Sequence, residues 1–163
     1  MNFATLGLVC VVLSSFCLVQ HDASVHDQHM ADVKKHGAEA MGFDQDKTTH
    51  HFRLYKDGGA VEVQANDSAD TASIGQIRDH LKQQAKKFAV GDFAAPQHTH
   101  GQVPPGVDTM TRLRSKIQYE FQPTERGGRL RITTADAQAL AAVHDFLRFQ
   151  IEDHRTGDKT SVE

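Results

Sequence analysis

The sequence predicts an α+β fold: two ββα units sharing one antiparallel sheet of about four strands, with helices on one face. Three observations carry this. Apolar and polar residues alternate through four short segments, an apolar stripe of helical period follows each pair, and the whole order occurs twice.

Taken in order, the chain opens with "MNFATLGLVCVVLSSFCLVQ", apolar and uncharged from Phe3 to Val19. Residues 1–17 read as a signal peptide that lacks the usual basic n-region, with Ser15 and Cys17 as small residues before a cleavage point. An uncleaved N-terminal anchor is the alternative, since about 17–25 apolar residues span a bilayer. Either reading predicts an exported protein, periplasmic or secreted. Cys10 and Cys17 both lie in this segment, so a cleaved product has no thiol. That excludes a cysteine nucleophile and cysteine-ligated zinc from the mature chain.

A lead and a helix over roughly 27–41, carrying Met30, Val33, Ala40 and Met41, fill residues 18–45. A duplicated domain follows over 46–158, with copies at about 48–92 and 115–158, and a tail at 159–163. In the first copy, Phe52 and Leu54 alternate with Arg53 and Tyr55, "KDGG" turns, and Val61 and Val63 alternate on the return. Ser73 and Gln76 have capping-box spacing, Ile74, Ile77, Leu81, Ala85 and Phe88 form a stripe, and Gly91 ends the helix.

The second copy repeats this. Ile117, Tyr119 and Phe121 lead out, Gly127 and Gly128 mark the turn, and Leu130 and Ile132 return. Asp136 is the expected N-cap, Leu140, Val143, Leu147 and Ile151 form the stripe, and Gly157-Asp158 is the expected stop. Laid together, "IRDHLKQQAKKFAVGD" and "VHDFLRFQIEDHRTGD" agree at Asp79/Asp145, Leu81/Leu147, Gln84/Gln150, Gly91/Gly157 and Asp92/Asp158. Between the copies, 93–109 holds three of the four prolines and reads as a connector. Connectors of that length are often functional.

Composition narrows the function. A chain of 163 residues suits one compact domain behind its leader. A net charge of −3 gives no basic stripe for nucleic acid, and the absence of Trp leaves few stacking platforms. The distinctive number is 11 histidines, whose protonation would turn the net charge strongly positive at mildly acidic pH.

Strand geometry separates His50 from His51, because neighbours on a strand face opposite ways. His50 shares its face with Phe52 and Leu54 and should point to the helices, whereas His51 should be solvated. His80 borders the first stripe, and His144 and His154 border the second. Each could be ordinary packing at a core rim or one member of a ligand set. His98 and His100 in "QHTHG" would share one side of an extended loop, or simply be solvated. His26, His29 and His36 lie on one side of the early helix, with His21 ahead of them. Met30 and Met41 nearby make copper conceivable, against plain packing. No GxGxxG, phosphate loop, HExxH or GxSxG occurs, and no credible nucleophile is present.

The set "MGFDQDKTTHHF", "IRDHL", "GDFAAP", "HG", "PPG" and "AVHDFLRFQIEDH" resembles a family of small exported bacterial proteins of unassigned function, sometimes labelled aspartate carbamoyltransferase. The resemblance spans Met41 to Asp158. It implies that the recurring histidines are His50, His80, His100, His144 and His154. The label implies a two-domain enzyme with a phosphate-binding "STRT"-like loop, and the chain contains no such run.

The expected function is therefore a histidine-rich binding module, taking a transition metal such as zinc or copper, or haem, at the helix–sheet seam. His50, His80, His100, His144 and His154 are the candidate ligands. The alternatives are a site for a non-metal ligand or protein partner with a pH-responsive histidine surface, and a metal-dependent enzyme with a histidine base. Neither nucleic acid nor a membrane beyond the anchor is an expected partner, and homo-oligomerisation stays open.

Overall fold

The structure, a computed structural model, describes residues 16–163, with side chains from Asp27 onward. Residues 1–15 of the expected signal peptide, and the side chains of His21 and His26, lie outside the described residues. The elements are α1 (Phe16–Met41), β1 (Thr48–Tyr55), β2 (Gly58–Ala65), α2 (Thr71–Ala89), α3 (Ala94–His100), α4 (Val107–Arg112), β3 (Ile117–Thr124), β4 (Gly127–Thr134) and α5 (Ala137–Asp153). No helix among the described residues is long and apolar enough to cross a membrane.

The four strands form one antiparallel sheet in the order β1-β2-β4-β3. The two return strands meet in the middle, with Val61 opposite Leu130 and Val63 opposite Gly128. Period-2 alternation sends Phe52, Leu54, Val63, Ile117, Leu130 and Ile132 to the covered face, where all are buried. Val61, Tyr119 and Phe121 share that face, partly exposed and packed against the core. At about 1.5–3 kcal/mol for each large apolar side chain removed from water, this face commits the sheet to a helical cover.

The cover is exchanged between the copies. Helix α2 lies mainly over β3 and β4, and α5 mainly over β1 and β2. Neither unit could bury its own strands alone, so the two are obliged to fold together. All five expected stripe residues of α2 are buried. On α5 the buried band is broader: Ala139, Ala142 and Phe146 join Val143, Leu147 and Ile151, while Leu140 is only partly covered.

Several local expectations are corrected. The cap of α2 is Asp70, whose carboxylate accepts from the Ser73 backbone N–H at 3.0 Å and from the Ser73 hydroxyl at 2.7 Å. Asp136 caps α5 as expected, accepting from the Gln138 and Ala139 N–H groups. Gly91, at φ +85°, follows α2 in the left-handed conformation that a side chain would resist. In α5 that left-handed position falls on Arg155 (φ +51°) and Gly157 lies beyond the helix, so α5 stops at Asp153 and its cap is His154.

The connector is not an extended loop. It folds into α3 and α4, with Pro96 in the first turn of α3, where a missing N–H costs nothing. Helix α1 is also longer than expected, since 16–36 contains neither Gly nor Pro, and it packs chiefly on α3. His51 is not free in solvent. The tail covers it: Asp158 accepts from the Phe52 N–H at 2.9 Å and lies 3.0 Å from His51 Nδ1. The Glu163 N–H donates to Leu54 O at 2.9 Å. The tail thus occupies hydrogen-bonding groups of an edge strand that would otherwise be open.

Candidate functional site: a histidine-lined cavity

The sheet face of β1, β2 and β4, the helices α2 and α5, and the α1–α3 pair line a partly open cavity of about 80 Å³. His50, His80, His100 and His154 all line it, so four of the five expected histidines come to one place. The remaining wall is mostly apolar, with Met41, Phe52, Val63, Leu81, Phe88, Leu130 and Phe146 beside the polar Gln84, Thr99 and Gln150. Among the described residues, no acidic residue, lysine or arginine contributes to it.

His50 reaches the cavity because its register matches that of Phe52 and Leu54. Its ring stands parallel to His154 at 6.1 Å and stacks on Phe43 at 6.0 Å, with Nε2 3.2 Å from Met41 Sδ. Burial pushes its pKa down to about 3, and the fields of His154, His80 and His51 add to the shift. His80 projects from α2 with its ring edge-on to Phe43 at 5.5 Å. Burial, then Lys87, lowers it to about 4. His154, freed by the early end of α5, stacks on Phe52 at 5.5 Å. Burial and then His100 lower it to about 4, with Asp153 opposing. The three rings are neutral at physiological pH.

His100 differs. Its side chain is 1% exposed, with Nδ1 2.6 Å from Asp153 Oδ2 and Nε2 2.9 Å from Gln150 Oε1. Asp153 Oδ1 also accepts from His29 Nε2 of α1 at 2.8 Å. Burial alone would raise the Asp153 carboxyl, but the bonds from His29 and His100 outweigh it and hold it below its ordinary value.

His144 does not join the site. Its Nε2 lies 2.9 Å from Tyr55 O and 3.0 Å from Gly58 O, so it clamps the β1–β2 turn to α5. His98 and His100, two positions apart on a helix, diverge instead of sharing a side. His98 lies against His36 at 5.0 Å, with Glu39 3.4 Å from its Nε2.

Among the described residues no group of three or more His, Cys, Asp or Glu side chains is arranged to hold a metal ion. The reason is local. Both nitrogens of His100 face oxygen partners, His144 faces two carbonyls, and His50 stands parallel to His154.

The sequence did not mark Gln84 and Gln150 as functional. Both are buried, and Gln84 Oε1 and Gln150 Nε2 have no hydrogen-bond partner among the described residues. The signal was present, since they are the uncharged polar pair among the positions where the two helices agree and they fall inside otherwise apolar faces. The role of Asp153 has no local signal, because nothing in its neighbourhood of the sequence announces that α1 and α3 will converge on it. The chain matches no family model, no curated protein and no solved structure.

Proposed function

We propose that the chain is an exported binding module whose site is the cavity between His50, His80, His154, Gln84 and Gln150. The observation that carries this reading is the convergence of His50, His80, His154 and the buried Gln84 and Gln150 on one otherwise largely apolar cavity. A polar group removed from water without a partner costs about 1–3 kcal/mol, which favours an occupant that bonds to the polar side chains of this wall. A water's share of liquid volume is about 30 Å³, so about 80 Å³ offers about three water positions. That suits a small molecule or a single ion, whereas haem would require the α1–α3 pair to move away. The apolar leader supports the exported part of the reading.

The test is a small-fragment screen followed by amide and imidazole NMR. Binders should perturb His50, His80, Gln84, Gln150 and His154 together. Perturbations confined to other surfaces would remove the reading.

A metal-ion reading has one specific observation behind it. His50 Nε2 and Met41 Sδ stand 3.2 Å apart, close to the separation of an imidazole and a thioether on one soft ion, and copper suits that pair. His154 or His80 would then turn to complete the set. Metal analysis of protein purified without a histidine tag, with and without added Cu(I), tests it. Met41→Leu should weaken copper binding at least tenfold, and equal binding by the variant would end this reading.

A further inference from the structure

We propose that the outer edge of β3 is a docking surface for a second copy of this chain. The two β3 strands pair antiparallel across a two-fold axis and join two four-stranded sheets into one. This is independent of what fills the cavity.

The duplication shows what this edge lacks. The outer strands of the sheet are β1 and β3, at matched places in the two copies. On β1 the Phe52 N–H and Leu54 O point outward, and Asp158 and the Glu163 N–H bond them. Counted back from the turn in the same way, Phe121 and Pro123 hold those places on β3. Alternation then directs the main-chain groups of Ile117, Tyr119, Phe121 and Pro123 outward. The Ile117 N–H is taken by Arg114 O, and proline has none to offer. The N–H groups of Tyr119 and Phe121 have no partner among the described residues. Asp92, which aligns with Asp158, instead accepts from the Ala94 N–H at the start of α3. The divergence that built the cover of the cavity thus left this edge open, and an open edge is a template for another strand.

Main-chain supply and charge make the edge complementary to itself. With the axis at Tyr119, the two Tyr119 residues exchange both their bonds, and each Phe121 N–H meets the partner's Ile117 O. Every free N–H of the edge is then used. On the open face Glu120 stands opposite the partner's Gln118, and Lys116 opposite the partner's Gln122, so no like charges meet. On the covered face the partly exposed Tyr119 and Phe121 gain aromatic and aliphatic neighbours across the axis. Moving the axis to Glu120 would oppose two carboxylates. Moving it to Gln118 would leave the Phe121 N–H facing Ser115, outside the strand. A symmetric contact of one patch with itself also closes as a dimer and does not propagate.

The test is sedimentation equilibrium of the purified chain over a thousandfold range of concentration, with amide hydrogen exchange at both ends of the range. A dimer should form as concentration rises, and exchange at Tyr119 and Phe121 should slow at least tenfold with it. The amides of Gln118, Glu120 and Gln122, which bond to β4, should be protected throughout. Gln118 is exposed, so its variants probe the contact without disturbing the core. Gln118→Glu sets a like charge against the partner's Glu120 on both sides of the axis and should weaken the dimer at least tenfold. Gln118→Lys sets an opposite charge there and should tighten it at least threefold. A chain that stays monomeric throughout would overturn the proposal, and so would a dimer indifferent to both substitutions. Protection of Tyr119 and Phe121 only when a different protein is added would overturn the second copy as occupant.

Discussion

His100 Nδ1 lies 2.6 Å from Asp153 Oδ2, and this contact ties α3 to the end of α5. The other Asp153 oxygen holds His29 of α1 at 2.8 Å. One carboxylate at the foot of the helical layer therefore fastens both helices that close the cavity. Charge-assisted bonds of this kind are shorter and roughly twice as strong as neutral ones.

Asp153→Asn should therefore loosen the α1–α3 cover before it unfolds the sheet. The expected loss is about 1–3 kcal/mol in urea titration, with faster hydrogen exchange in α1 and α3 than in β2 and β4. Because its carboxyl is held below the ordinary value, the contribution of Asp153 is complete above about pH 4 and fades as pH falls further. The variant should lack that acid-side loss. Uniform exchange across the whole chain would contradict a cover separate from the sheet.

His144 offers a contrasting case. Its Nε2 bridges the carbonyls of Tyr55 and Gly58, and its ring is not part of the cavity wall. His144→Leu should cost about 1–3 kcal/mol by leaving those carbonyls unpaired, while ligand or metal affinity stays within twofold. A tenfold loss of binding in a folded His144→Leu protein would return this residue to the site.

These residues also mark what was legible in the sequence. The sheet was, because alternation in four strands is local and any slip of one residue would turn Leu54, Val63, Leu130 and Ile132 into water. His50 was legible for the same reason. Helix α3 was not, since a proline and paired histidines beside Gly101 resemble a loop until packing against α1 stabilises the helix. Nor was the fate of His144, which depends on which way the borders of α5 face. The tail over His51 is a long-range contact that no periodicity encodes.

Acid should destabilise the protein through the cavity. His50 is lowered to about 3, and His80 and His154 to about 4, so between those values and about 6.5 the unfolded chain binds protons that the folded chain refuses. Their contribution is complete above about pH 6.5 and is lost as pH falls through that window, at about 1.4 kcal/mol per pH unit for each ring. Urea titrations at pH 7.5, 6 and 5 should show progressively lower stability. His80→Leu should reduce the slope by about one proton. Equal slopes for the variant and the wild type would mean that His80 is protonated in the folded protein.

His50 and His51 complete the set, because they are adjacent in the chain and serve opposite faces of β1. His50→Ala removes a ring that packs on Phe43 and His154 and meets Met41, enlarging the cavity, with an expected cost of about 1–3 kcal/mol at pH 7.5. It also removes a group that resists protonation, so the variant should lose less than the wild type on going to pH 5. His51→Ala acts on the tail. Asp158 keeps its bond from the Phe52 N–H and its neighbour Arg53, so the loss should be about 0.5–1.5 kcal/mol. The distinguishing readout is local. Carboxypeptidase should trim residues 156–163 faster in His51→Ala than in His50→Ala, while only His50→Ala should change binding in the cavity. Equal trimming in both variants would mean that the tail does not depend on the His51–Asp158 contact. A change of cavity binding in His51→Ala alone would reverse the assignment of faces.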